Sequence, residues 1–140
     1  MANQLIYENI EVGDAIPVLV KSTTSKQLVK WGCLMQRYYE IHYDKDFAVS
    51  LGLPGVVVWG EMVVSFINQM LTDWIGDHGT VRKLGCSFRG AVFLGEDITC
   101  KGTISEKYTQ DNQHYLKCEV WSENPGGEKP VTGEAVISIK

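Results

Sequence analysis

The sequence has little positive charge, and none of it is concentrated in one segment. Its 140 residues include 13 lysines and arginines against 17 aspartates and glutamates, which gives a net charge of -4. Proteins that bind nucleic acids through their phosphates normally present a basic patch. Because the basic residues here are scattered along the chain, a nucleic-acid partner is not expected.

Cysteine and glycine patterns of well-known chemistry are also missing. The four cysteines, at positions 33, 86, 100 and 118, form no CxxC pair, and no histidines stand at zinc-finger spacing. There is no GxGxxG motif, and the segment GCSFRG lacks the second glycine of a GxSxG nucleophile elbow. The sequence therefore indicates reduced thiols and predicts no metal site, no phosphate-binding loop and no serine hydrolase.

The chain also lacks a long uninterrupted apolar run. Its N-terminus, MANQLIYENIEVGD, has no basic start followed by an apolar core, so no secretory signal is indicated and a cytoplasmic location is expected. The most apolar stretch, residues 52–76, contains Glu61, Asn68 and Asp73. These side chains are costly in hydrocarbon, so the stretch is predicted to be a core helix and not a membrane span.

The first part of the chain predicts one short strand and two short helices. Residues 14–21, DAIPVLVK, are typical of a strand at a sheet edge because they include a proline. Thr24 and Gln27 form a capping-box signature for a helix that ends near Gln36. Asp44 can cap a second helix, KDFAVSLG, which ends at a glycine.

From residue 56 onward the periodicity predicts one long helix and then a sheet. Apolar side chains occupy nearly every face of a helix over residues 56–75, so this helix must be enclosed by other elements. Four segments with alternating hydropathy and intervening turn residues follow: TVRKLGCSFRGAVF, DITCKGTISEKY, HYLKCEVWSE and PVTGEAVISIK. The predicted fold class is α+β, an antiparallel sheet wrapped around one long central helix, in a single domain over residues 1–140.

Several motifs add a family resemblance to this architecture. The segment IHYDKDFAVSLGLPGVVVWGEM resembles the signature of MaoC-like hydratases and dehydratases, in which NPIHxD precedes an alanine, a GLPG-like turn and an IxHG step into the central helix. VRKLGCSFRGAVFLGEDITCKGTI and VTGEAVISI are similar to the later strands of that family. The resemblance covers nearly the whole chain from Ile10 onward and implies the hotdog fold.

The resemblance implies a reaction as well as a fold. MaoC-like proteins, including (R)-specific enoyl-CoA hydratases, add water reversibly across the double bond of a 2-enoyl thioester. By this resemblance His42 is the acid/base residue, and the backbone amide of Gly60 donates to the thioester carbonyl oxygen. The implied substrate is a CoA or acyl-carrier thioester, with no cofactor and no metal.

The sequence departs from the family signature at the catalytic aspartate. Arg37 occupies that position, Tyr39 replaces the asparagine, Glu40 replaces the proline, and Trp59 stands where a histidine usually precedes the glycine of the central helix. A water nucleophile needs a group that takes its proton, and arginine cannot do so near neutral pH. Glu61 is the candidate replacement for the missing carboxylate; its alternative role is to compensate the helix dipole.

Other residues are candidates for substrate binding. Trp59 and Tyr39 belong to this group through their positions in the signature. Asn68 lies two turns along the central helix, where a small polar residue often faces either the family's active site or the dimer seam. On composition alone, His42 would be a hydrogen-bonded structural residue, and its IHYD context favours a site.

Surface cations and the remaining histidines complete the set of candidates. His78 and His114 have no partners in the sequence and are expected to face solvent. A CoA or acyl-carrier substrate would need a few cations, and the sequence offers Arg82, Lys83, Arg89 and Lys101.

Three functions follow from these residues. The first is an enoyl-thioester hydratase or dehydratase of fatty-acid type, at least dimeric because the family's thioester tunnel lies between two protomers. The alternative, which Arg37 favours, is a non-catalytic hotdog subunit that shapes the acyl tunnel and stabilises a catalytic paralogue in a heterodimer. The third is a hotdog thioesterase that uses Glu61.

Overall fold

A five-stranded antiparallel sheet curls around a central helix in the computed structural model, which describes residues 5–140. Residues 1–4, part of the N-terminal segment considered above, lie outside the described residues. The strands are β1 (Leu19–Lys21), β2 (Gly79–Phe88), β3 (Ile98–Gln110), β4 (Gln113–Glu123) and β5 (Val131–Ile139). They lie in the order β1-β3-β4-β5-β2. The α-helices are α1 (Ser25–Met35), α2 (Lys45–Ser50) and α3 (Gly60–Ile75).

Helix α3 forms the centre of the hydrophobic core. It contacts all five strands, and its buried side chains are Met62, Val63, Ile67, Met70, Leu71 and Ile75. The inner face of the sheet presents buried apolar residues to this helix, among them Ile98, Leu116 and Ile137. Burial of both surfaces holds the sheet around the helix, which confirms the predicted architecture. Among the described residues, no helix has the length and apolar character needed to cross a membrane.

The predicted caps of α1 and α2 are confirmed. Thr24 and Gln27 form a reciprocal capping box: the Thr24 hydroxyl accepts from the Gln27 amide at 3.3 Å, and the Gln27 side chain accepts from the Thr24 amide at 2.9 Å. The Asp44 carboxylate accepts from the Phe47 amide at 3.1 Å and caps α2. These caps fix the residue at which each helix starts.

The start of α3 differs from the prediction. The periodicity predicts a helix from residue 56, but α3 begins at Gly60 and residues 56–58 are extended. Val57 forms an isolated bridge with Phe93, and the Val58 amide donates to the carbonyl of Val92 at 2.7 Å. Three consecutive valines favour extended backbone, and here the segment has a neighbouring chain with which to pair. The prediction was therefore wrong by one helical turn.

Strands β1 and β2 are also shorter than predicted. β1 covers only the last part of residues 14–21, because Pro17 has no amide hydrogen to donate to a neighbouring strand. β2 ends at Phe88, where the chain leaves the sheet and the Arg89 and Gly90 amides donate to the carbonyl of Pro130. This turn directs residues 91–93 toward the N-terminal end of α3, where the predicted site residues lie.

Candidate active site

A cleft of about 220 Å³ lies at the N-terminal end of α3. His42, Gly60 and Glu61 supply its polar groups, and apolar side chains such as Val92 and Val131 supply most of the remaining lining. The structure therefore brings three of the predicted catalytic residues to one cleft, although they come from different elements. Small apolar clefts with a few converging polar groups are the usual form of a small-molecule site.

The imidazole of His42 is held in a single orientation by two contacts. Its Nδ1 lies 2.7 Å from the carbonyl oxygen of Val57. Because a carbonyl oxygen only accepts, Nδ1 carries the hydrogen and donates it, which leaves Nε2 of the neutral ring free to accept a proton. The ring also stacks on the indole of Trp59, with centroids 3.6 Å apart and planes inclined by 19°.

Trp59 stacks on the His42 ring but does not line the cleft. The indole is buried, and its Nε1 donates to the carbonyl oxygen of Leu28 in α1 at 2.9 Å. Gly32 of α1 packs against the same ring, since a Cβ at this position would lie 3.1 Å from the indole. The predicted role of Trp59 in substrate binding stays a prediction, whereas its contacts connect α1 to the imidazole.

Arg37 and Glu61 form an ion pair between Nη1 and Oε1. The guanidinium of Arg37 thus holds a carboxylate at the edge of the cleft. The pKa of Glu61 lies below its ordinary range, because its own backbone amide donates to the carboxylate and Arg37 adds a hydrogen bond and charge. The two side chains are 53% and 42% exposed, so the pair contributes little to stability and its main effect is to orient an ionised carboxylate.

Burial lowers the pKa of His42 below its ordinary value of 6.5, against smaller opposing effects of the Val57 carbonyl and the Glu61 charge. The folded protein therefore binds this proton less tightly than the unfolded chain, so the free energy of unfolding should decrease as the pH falls below 6.5.

Glu61→Gln should lower the pKa of His42 further, because the raising effect of the carboxylate is lost. NMR titration of the imidazole measures both pKa values; a higher pKa in the variant would contradict this electrostatic coupling.

Gly60 opens α3 and leaves its backbone amide available. Trp59, the preceding residue, provides no side-chain cap, and the hydrogen bonds found within residues 5–140 include none donated by the Gly60 amide. The unpaired N–H groups at a helix N-terminus favour an oxygen that carries partial negative charge. The amide can therefore bind a carbonyl oxygen in the cleft.

Phe88 is a site residue that the sequence did not indicate. It is the last residue of β2, and its ring lies so close to Gly60 that a Cβ there would be 2.6 Å from a ring carbon. The ring is 57% exposed and lines the cleft, so it covers part of the opening. An aromatic residue within a predicted strand carries no sequence signal for such a position.

Two predicted binding residues are not brought to the cleft. Tyr39 is half exposed and meets the His42 ring edge-on at a centroid distance of 6.2 Å, on the side of α2. Asn68 is half-buried on α3, two turns beyond Gly60, and is not among the residues that line the cleft. Their roles in substrate binding stay predictions.

The expectation that His78 and His114 face solvent is wrong, since both are half-buried. His114 stacks on Tyr7 with a centroid distance of 4.1 Å, and its Nδ1 lies 2.9 Å from the hydroxyl of Thr109. The N-terminal segment covers this end of β4, a tertiary contact that neighbouring residues in the sequence do not indicate.

A second cavity of about 270 Å³ lies on the other side of His42. Helix α1, Trp59, Tyr38 and Tyr43 line it, and its surface is almost entirely apolar. Arg37 also borders this cavity, whereas its ion-pair partner Glu61 lines the cleft. The two tyrosines share this apolar surface with α1, which packs next to the segment 38–43.

Comparison with known proteins identifies the family to which this chain belongs. The MaoC like domain matches residues 12–122. The chain therefore belongs to the MaoC-like domain family, which confirms the resemblance seen in the sequence. A comparison with curated proteins gave no match.

Several solved structures share the fold of this chain. An (R)-hydratase from A. caviae involved in PHA biosynthesis is 22% identical, with a TM-score of 0.84 over 95% of this chain and 99% of that chain. The ChsH1-ChsH2 complex from Mycobacterium tuberculosis is 20% identical, with a TM-score of 0.77 over 93% and 98% of the two chains. The HadBC (3R-hydroxyacyl-ACP dehydratase) complex of the same organism is 12% identical, with a TM-score of 0.74 over 91% of this chain and 96% of that chain. These similarities confirm the hotdog fold.

Proposed function

We propose that this chain is an enoyl-thioester hydratase, or in the reverse direction a 3-hydroxyacyl-thioester dehydratase. The observation that supports this function is the cleft in which the His42 imidazole, the Glu61 carboxylate and the Gly60 amide meet. The family to which the chain belongs and the (R)-hydratase with the same fold point to the same reaction. No cofactor is proposed, because acid/base groups are sufficient for adding water to a polarised double bond.

The cleft residues divide the reaction between them. The Gly60 amide donates to the thioester carbonyl oxygen, which draws electrons from the double bond and makes the β-carbon electrophilic. Nε2 of His42 takes a proton from water as the oxygen–carbon bond forms, and the resulting imidazolium returns a proton to the α-carbon. The pKa of Glu61 is lowered by its own backbone amide and by Arg37, so we assign it the ionised role: it accepts the second hydrogen bond of the water and stabilises the imidazolium.

The reaction can be tested directly with crotonyl-CoA. Purified protein should consume the enoyl absorbance without releasing a free thiol. Release of thiol would instead support the thioesterase that uses Glu61. Absence of both changes, for the chain alone and after mixing with candidate hotdog partners, would contradict the hydratase.

A non-catalytic subunit is the second candidate function, and three observations favour it. The Arg37–Glu61 ion pair occupies the carboxylate, and Phe88 covers the Gly60 end of the cleft. β2 also pairs only with β5 among the described strands, which leaves an edge that a partner can cover. Such a subunit would be inactive alone and would increase the activity or stability of a catalytic partner; a homodimer that hydrates crotonyl-CoA would exclude this role.

A further inference from the structure

We infer that Arg89 and Lys129 bind the phosphate groups of the carrier that delivers the acyl chain, either CoA or a phosphopantetheine arm. This inference rests on the proposed function, because it assigns a place to the part of the thioester that does not react. The sequence offered Arg89 as one of several surface cations and did not indicate Lys129.

The two cations lie where a ligand would leave the cleft. Gly90 and Ala91 line the cleft, and the same two residues line a neighbouring groove of about 400 Å³ together with Arg89 and Lys129. The Arg89 and Gly90 amides both donate to the carbonyl of Pro130, which holds the two cation-bearing segments against each other. A chain that extends from the thioester past Gly90 therefore reaches both positive charges.

Neither cation forms an ion pair within residues 5–140, where the three ion pairs involve other basic residues: Arg37, Lys101 and Lys117. Lys129 lies over the Trp121 indole, and its charge also acts on Glu123. Glu128 lines the same groove as Arg89 and Lys129, and its carboxylate accepts from the Asn124 side chain at 3.2 Å. The other cations offered by the sequence are less suitable, since Arg82 bonds the Ser138 hydroxyl and Lys101 is paired with Glu123.

A second groove, of about 450 Å³, continues from Arg89 and Lys129 over the outer face of the sheet. Gly133 lines this groove and allows β2 and β5 to approach closely, because a Cβ would lie 2.2 Å from the carbonyl oxygen of Gly85. Ser87, Thr132 and the indole of Trp121 line this groove, and Nζ of Lys129 lies 4.5 Å from the indole centroid. Hydroxyl and aromatic groups next to paired cations suit a nucleotide or a phosphodiester.

Acidic residues define the limits of this site. Glu119 and Glu134 lie directly opposite each other on β4 and β5 and line the same groove. Their carboxylates repel a phosphate, so the anion is confined to the end of the groove near Arg89 and Lys129.

Binding experiments test the site without depending on catalysis. Isothermal titration should show that CoA and 4′-phosphopantetheine bind the wild-type protein more tightly than pantetheine, which lacks phosphate. Arg89→Ala and Lys129→Ala should each weaken binding of the preferred phosphate ligand by about tenfold, because each removes one charge-assisted contact. Lys26→Ala is the matched control, since Lys26 is an exposed cation of α1 that lines neither groove.

The pattern of results separates this inference from the proposed function. Tighter binding of CoA or of 4′-phosphopantetheine identifies the source of the phosphate. Either result supports the site if both alanine variants bind that ligand more weakly than the wild type does. Equal binding by wild type and the double variant, or no binding of either probe by wild type, would overturn it. In turnover, the double variant should lower the ratio of kcat/KM for crotonyl-CoA to that for crotonyl-pantetheine. If the protein shows no turnover but CoA binding still depends on Arg89 and Lys129, the phosphate site is supported and the hydratase is not.

Discussion

Replacement of His42 by asparagine should lower kcat/KM for hydration of crotonyl-CoA by about 10²- to 10⁴-fold, the usual effect of removing a general acid or base. The asparagine amide can still donate toward the Val57 carbonyl, so the change removes mainly Nε2, the nitrogen free to accept a proton. The loss should fall mostly on kcat, because the imidazole interacts more strongly with the transition state than with the bound substrate. Steady-state kinetics with crotonyl-CoA measures this change.

The control for this variant is His78→Asn. His78 is also half-buried, but it lies in the turn Gly76–His78 and does not line the cleft. Its replacement should leave kcat/KM close to that of the wild type. Comparable losses in both variants would show that structural damage, and not the missing base, causes the effect, and thermal unfolding of each variant checks this point. Wild-type activity in His42→Asn would exclude the proposed mechanism.

Much of the fold follows from local sequence signals. The capping box at Thr24, the cap at Asp44 and the alternation in the last four segments each specify an element through interactions between neighbouring residues. The start of α3 could not be predicted in this way. Three valines suit a strand or a helix, and the pairing of Val57 with Phe93 decides between them.

The residues of the site could be predicted where they belong to a family motif. The IHYD and WGE segments placed His42, Gly60 and Glu61 together, and the structure has them on one cleft. The ion pair between Arg37 and Glu61 joins residues 24 positions apart, so its existence depends on the tertiary fold. The sequence did not indicate Phe88 and Lys129, because each acquires its position from a neighbouring strand or turn.

We propose that the Arg37–Glu61 pair compensates for the family's aspartate, which the sequence resemblance places at position 37. In this proposal the carboxylate comes from the first turn of α3, where the guanidinium of Arg37 holds it. The two positions have then exchanged their polar functions. Reversing the exchange is therefore informative about both residues.

Glu61→Arg alone should lower kcat/KM for crotonyl-CoA by about 10²-fold or more, because it removes the carboxylate that holds the water and places a cation beside Arg37. Arg37→Asp alone should lower kcat/KM for crotonyl-CoA by a smaller factor, on the order of tenfold. It adds a carboxylate but leaves two like charges that raise each other's pKa. These single variants set the reference for the exchanged pair.

The double variant Arg37→Asp/Glu61→Arg should recover most of the activity lost in Glu61→Arg, to within about tenfold of the wild type. It restores an ion pair and returns the carboxylate to the position that the family signature gives it, next to His42. Recovery should be incomplete, since an arginine in the first turn of α3 is unfavourable to the helix dipole by about 0.3–1 kcal/mol. Kinetics of all four proteins gives the coupling between the two positions. A double variant no more active than Glu61→Arg would mean that the carboxylate acts only from α3, or that this pair has no part in the reaction.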